Sequence, residues 1–206
     1  MNKLVMSLTP VIALINQGFA TEELSIKSVV IADFACQNAM GNTCYLKLRL
    51  DQPMLSMANM YKQTDVVSVN FCHEKTREFT KNVIDMHNMF LDARKLIYLN
   101  LSNLDTGKVT NMENMFKGCI NLKEINVSGF DTSNVKSMKG MFAYCQSLEQ
   151  LDISNFDMSN VKSCDYMFLD CEELNILKLP LSEKKTPHIN KNAYSGCEIL
   201  TTIYYK

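Results

Sequence analysis

The sequence lacks a charge excess of either sign. Its 21 Lys and Arg stand against 22 Asp and Glu, a formal net charge of -1 at pH 7. No basic face is implied, which argues against nucleic acid as the main partner. Histidine is scarce, at three residues: His73, His87 and His188. No Gly-rich phosphate loop, H-E-x-x-H motif or C-x-x-C pair occurs. The residues therefore give catalysis, a cofactor or a metal centre little to stand on, and a non-enzymatic protein is expected. Beyond the first 20 residues, no apolar run reaches the ~20 residues that a membrane-spanning helix needs.

What the chain does have begins at its N-terminus. Lys3 supplies a positive start and Leu4 to Ile15 is apolar. Gly18-Phe19-Ala20 then places small residues where signal peptidase reads them. Residues 1–20 are expected to be a secretory signal cleaved after Ala20, so that the protein is secreted or held at the cell surface.

The main feature is a 26-residue period. Phe90, Phe116, Phe142 and Phe168 recur at that step, with Tyr194 next in the slot. Leu96, Leu122, Leu148, Leu174 and Leu200 keep phase with them, as do Leu99, Ile125, Leu151, Leu177 and Ile203. Ala93 begins a further column, continued by Cys119, Cys145, Cys171 and Cys197. A fixed period of this length means a solenoid, because one coil cannot bury its own apolar face and must stack on neighbours.

Within the unit Leu122 to Ser147, the first half alternates. Ile125 and Val127 point one way, and Glu124, Asn126 and Ser128 the other, as in a half-buried strand. In the second half Val135, Met138, Phe142 and Cys145 follow helical spacing. Asp131-Thr132-Ser133-Asn134, residues that favour a helix start, precede them. The expected fold is an α/β solenoid, with a parallel β-sheet on one face and short helices on the other. A divergent N-terminal cap is expected over 21–50 and the solenoid over 51–206, with regular coils from about 83. Met57 to Tyr61 and the Val67, Val69, Phe71 alternation read as an earlier coil.

Eight cysteines in an exported chain would ordinarily suggest disulfides. Four of them share one slot beside the Phe column, and Cys164 replaces the Met112 and Met138 of its column, so these five read as small buried apolar residues. Cys36 and Cys44 lie outside the array, and a disulfide closing a hairpin-like loop is the alternative there. Asp105, Asp131 and Asp157 form a carboxylate column. A calcium stack is one reading. Turn-tightening by bonds to backbone amides is the better one, since the glycine-rich loop of calcium-binding arrays is missing.

The segment L-D-I-S-N-F-D-M-S-N-V-K-S-C-D-Y-M-F at Leu151 to Phe168 resembles the BspA-like leucine-rich-repeat surface proteins, whose repeats also occur in mycoplasma surface lipoproteins. Leu99 to Cys119, Ile125 to Cys145 and Leu151 to Cys171 all match that unit. The resemblance implies leucine-rich-repeat coils and an exported surface protein that adheres to a host matrix or to another cell. It carries over no binding residue, because the motif specifies the coil. The expected binding surface is the outward strand row: Tyr98, Asn100, Glu124, Asn126, Gln150, Asp152, Lys178 and Tyr204. The expected partner is a protein or a glycan. Two other readings remain beside it. One is an envelope or matrix component that self-associates through an open C-terminal strand edge; the other is a remnant of a longer adhesin.

Overall fold

A computed structural model of the chain describes residues 54–71, 76–180, 189 and 191–205, together with the strand backbone of 33–37 and 43–47. The expected signal at 1–20, along with Cys72, His73 and His188, lies outside the described residues.

Among the described residues eight strands follow one another. They are β1 (Asp33–Gln37), β2 (Thr43–Lys47), β3 (Ser68–Asn70), β4 (Tyr98–Asn100), β5 (Glu124–Asn126), β6 (Gln150–Asp152), β7 (Ile176–Leu179) and β8 (Thr202–Tyr205). β1 and β2 form an antiparallel hairpin with Cys36 opposite Cys44 in register. β2 pairs in parallel with β3, and β3, β4 and β5 continue in parallel with equivalent residues side by side. β6, β7 and β8 form a second parallel sheet. The protein is therefore a parallel β-solenoid, and the 26-residue step equals one coil: Leu99 pairs with Ile125, and Leu151 with Leu177.

The inward columns meet between the two walls. Phe90, Phe116, Phe142 and Phe168 are fully buried, as are Leu96, Leu122, Leu148 and Leu174. The rings stack from Tyr61 through Phe90, Phe116, Phe142 and Phe168 to Tyr194, with centroid separations of 4.9, 5.7, 5.2, 5.9 and 5.6 Å. These separations lie in the attractive range, and such a pair adds about 0.5–1.5 kcal/mol beyond its area burial. Cys119, Cys145, Cys164 and Cys171 are buried and not disulfide-bonded. In the column, the Cys145 thiol donates to the Phe116 carbonyl at 3.2 Å and the Cys171 thiol to the Phe142 carbonyl at 3.1 Å.

The expected short helices are not found on the second wall. Among the described residues the helical segments are α1 (Thr76–Thr80) and a 3-10 turn at Lys191–Tyr194. Each regular coil instead returns through two successive turns. The N–H groups of Met112, Asn114, Phe116 and Gly118 donate to carbonyls of Ser137, Lys139, Met141 and Ala143 in the next coil. The alternate N–H groups, of Met115, Lys117 and Cys119, donate three residues back. Left-handed residues recur four apart, Asn114 (φ 52°) with Gly118 (φ 75°) and Gly140 (φ 61°) with Tyr144 (φ 61°). An α-helix cannot pass through such residues. It would also need every N–H bonded four back, whereas here half of them hold the neighbouring coil. The apolar stripe is nonetheless buried as expected, because two tight turns also bring every third or fourth residue inward: Val135, Met138, Phe142 and Cys145 are all inaccessible.

Candidate functional site

The outward row of the strands is the candidate surface. Asn or Asp at the ends of β4, β5 and β6 starts the following turn. Asn100 Oδ1 accepts from the Ser102 N–H, and Asn126 Oδ1 from the Ser128 N–H, each at 3.1 Å. Asp152 Oδ1 accepts from both the N–H (3.1 Å) and the hydroxyl (2.7 Å) of Ser154. These short-range bonds fix where the side chains stand without using up their outward faces. Asn100 and Asn126 are thus turn residues of the array as well as strand residues.

Register places Tyr98 beside Glu124 and Asn100 beside Asn126. In the second sheet Asp152 stands beside Lys178, and Lys178 beside Tyr204. Glu124, Asn126, Gln150, Asp152 and Tyr204 are exposed, while Tyr98, Asn100 and Lys178 are half-buried. Lys178 Nζ reaches Asp152 Oδ2 at 3.1 Å. Burial pushes the Asp152 carboxyl up, but the bonds from Ser154 and Lys178 outweigh it and hold the group below its ordinary value.

The row is not continuous. β5 and β6 do not pair, and the surface divides into one patch of Tyr98, Asn100, Glu124 and Asn126 and another of Gln150, Asp152, Lys178 and Tyr204. At other joints a backbone bond closes the strand end: Phe71 N–H to Asn100 carbonyl at 2.8 Å, Leu101 to Asn126 at 2.9 Å, Ile153 to Lys178 at 2.9 Å. Among the described residues no equivalent bond joins Val127 to Asp152. Ile125 is accordingly half-exposed, whereas Leu99, Leu151 and Leu177 of the same column are buried.

The far wall stays closed at this joint: Ser137 bridges Ser163, and Met138 N–H donates to the Ser163 carbonyl at 2.9 Å. Gly129 lies in the turn that follows β5. It occupies the slot of Asn103 and Asn155, and a Cβ there would run into the Ser102 carbonyl, so the turn packs closely on the preceding coil. Asn155 spans the gap, its Nδ2 donating to the Phe130 carbonyl at 3.0 Å and the Ser128 carbonyl at 3.3 Å. Sequence reasoning missed this joint; its one signal was a glycine in an asparagine column.

The carboxylate column also serves the turns. Asp105, Asp131 and Asp157 accept from the N–H groups of Gly107, Ser133 and Ser159 at 3.0–3.1 Å. Bonds from the Ser133 hydroxyl and N–H lower the Asp131 pKa. Among the described residues no group of three His, Cys, Asp or Glu is placed to hold a metal ion, and no helix is long and apolar enough to cross a membrane. His87 has its ring Nδ1 2.9 Å from Asp85 in its own coil. The Cys36 and Cys44 side chains lie outside what the structure describes.

A family model described as "Mycoplasma protein of unknown function, DUF285" matches residues 55–178, more than half of the chain. No curated protein and no solved structure matches it.

Proposed function

The chain belongs to this family of Mycoplasma proteins of unknown function, and from that premise we propose that it is an exported, BspA-like leucine-rich-repeat protein whose strand face binds a protein or glycan without catalysis. The repeated unit from Leu99 to Cys171 supports the BspA-like and leucine-rich-repeat reading, and the apolar stretch before Ala20 supports export. The observation that carries the binding role is a division of labour between the two sides of each strand. Inward columns and backbone bonds hold the coils together, while the outward row of Glu124, Asn126, Gln150 and Asp152 stays exposed. Repeat proteins bind through extended faces of this kind.

The test is saturable binding of the full chain to a panel of matrix proteins and glycans, run beside a variant carrying Asn100→Lys, Asn126→Lys and Asp152→Lys. Binding that disappears in the variant supports the face. No binding by folded wild-type protein overturns it.

A scaffold role is the second reading, favoured by the exposure of Tyr204 (52%) and Tyr205 (60%) on β8, an edge strand of its sheet. Among the described residues β8 has a strand partner on one side, and an apolar edge of this kind is a template for another chain. Particle size that grows with concentration in light scattering, and that falls back in Tyr205→Lys, would favour this reading over a monomeric binder.

A further inference from the structure

The unpaired joint between β5 and β6 opens a cleft of about 220 Å³ on the candidate binding face. One side runs from Ile125 to Ser128; Asp152, Ser154 and Asn155 form the other. We propose that this cleft is a sugar-binding subsite that takes one pyranose ring of a neutral glycan. The proposal rests on the reading of the strand face as a binding surface and specifies its ligand class.

The size suits a single ring. Pockets for drug-sized ligands run at roughly 300–1,000 Å³, and a cavity of about 150 Å³ already admits benzene. An extended peptide does not suit it. Inserting a strand would part the coils by about 4.8 Å, and the bonded far wall between Ser137 and Ser163 holds them together.

The lining chemistry selects hydroxyls. The Ser128 hydroxyl both donates and accepts, Asn126 keeps its Nδ2 donors, and Asn155 Oδ1 and Ser154 Oγ remain as acceptors, since the Asn155 N–H groups go to the Phe130 and Ser128 carbonyls and the Ser154 hydroxyl proton to Asp152. The Val127 N–H and the Asp152 carbonyl are a donor and an acceptor left without the strand partners they have at other joints. Adjacent ring hydroxyls, each both donor and acceptor, match such an interleaved set. Ile125, half-exposed only because the joint is open, gives an apolar floor for the C–H face of the ring.

Charge excludes the alternatives. Asp152 is the one ionisable side chain lining the cleft. An anion would meet its carboxylate. A cation would find Oδ2 already taken by Lys178.

The experiment is titration calorimetry of the full chain with D-glucose, D-galactose, N-acetyl-D-glucosamine, lactose and chitobiose. It is run beside Ser128→Tyr, which fills the cleft mouth from an exposed position, and Lys62→Ala, at an exposed position on the turn wall away from the strand face. Unchanged melting of both variants establishes that they fold. The expected result is binding of at least one of these sugars, weakened about tenfold or more in Ser128→Tyr and unchanged in Lys62→Ala. Equal sugar binding by wild type and Ser128→Tyr overturns the subsite. Binding of a matrix protein with no sugar bound overturns the subsite and leaves the face reading standing. No binding of any kind by the folded chain overturns both.

Discussion

Gly129 packs so closely on Ser102 that a Cβ at the glycine would overlap the serine carbonyl oxygen. The absence of one side-chain carbon thereby lets the β5 turn pack directly on the coil before it.

Gly129→Ala is expected to destabilise the fold, because the turn must move off Ser102 against a closed far wall. Overpacking of this kind costs about 1–3 kcal/mol. A lowered urea midpoint with an unchanged slope is the expected readout. If the stability is unchanged, the close contact does not exist in solution.

Phe142 stands in the middle of the ring stack, with Phe116 on one side and Phe168 on the other. Phe142→Ala should remove roughly 3–5 kcal/mol, the usual cost of emptying a buried aromatic site. Tyr194, half-buried and stacked on Phe168, should cost clearly less when changed to Ala. Urea denaturation of the two variants side by side tests the order.

Tyr166 (φ 58°) holds a left-handed turn position that Asn88, Asn114 and Gly140 fill in other coils, and its side chain is 45% exposed. Relieving an unfavourable left-handed residue is worth about 1 kcal/mol. Tyr166→Asn is therefore expected to raise the melting midpoint. Tyr144→Asn should be closer to neutral, since Lys117 lies over the Tyr144 ring at 5.7 Å and that contact offsets the gain by about 0.5–1 kcal/mol. Thermal melts of the two variants distinguish them.

Burial pushes the Cys119 thiol up to about 12 from an ordinary value of 9.0, and Cys145 is raised by burial as well. Above pH 9 the unfolded chain loses these protons while the folded chain keeps them. Stability should therefore be unaffected below pH 9 and fall as pH rises from 9 towards 12. Cys119→Ala should flatten that fall, which chemical denaturation at stepped pH would record. Cys197 differs, because a bond from Cys171 lowers its pKa and it is only half-buried. Among the described cysteines it should be the first alkylated by iodoacetamide in the native protein, as peptide mapping would show.

The coil was legible in the sequence. The Phe, Leu and Cys columns named the buried positions, the alternation around Ile125 and Val127 named the strand, and the carboxylate column named the turns. Each rests on contacts within one coil or between identical slots, which a fixed period repeats. The outward row was legible for the same reason, since a strand's two faces alternate by residue.

Two features were settled by the tertiary structure alone. The spacing of Val135, Met138, Phe142 and Cys145 suits a helix and a pair of tight turns equally. The choice falls to where the backbone N–H groups find partners, and those partners lie in the next coil. The open joint likewise is seen only in which strands pair, and in Asn155 reaching across to the Phe130 and Ser128 carbonyls. The residue pattern by itself therefore determined the solenoid, its core and its exposed face. Coil-to-coil hydrogen bonding decided that the second wall is made of turns and that the sheet parts between β5 and β6, because such bonds form between backbone groups whose positions exist only once the coils are stacked.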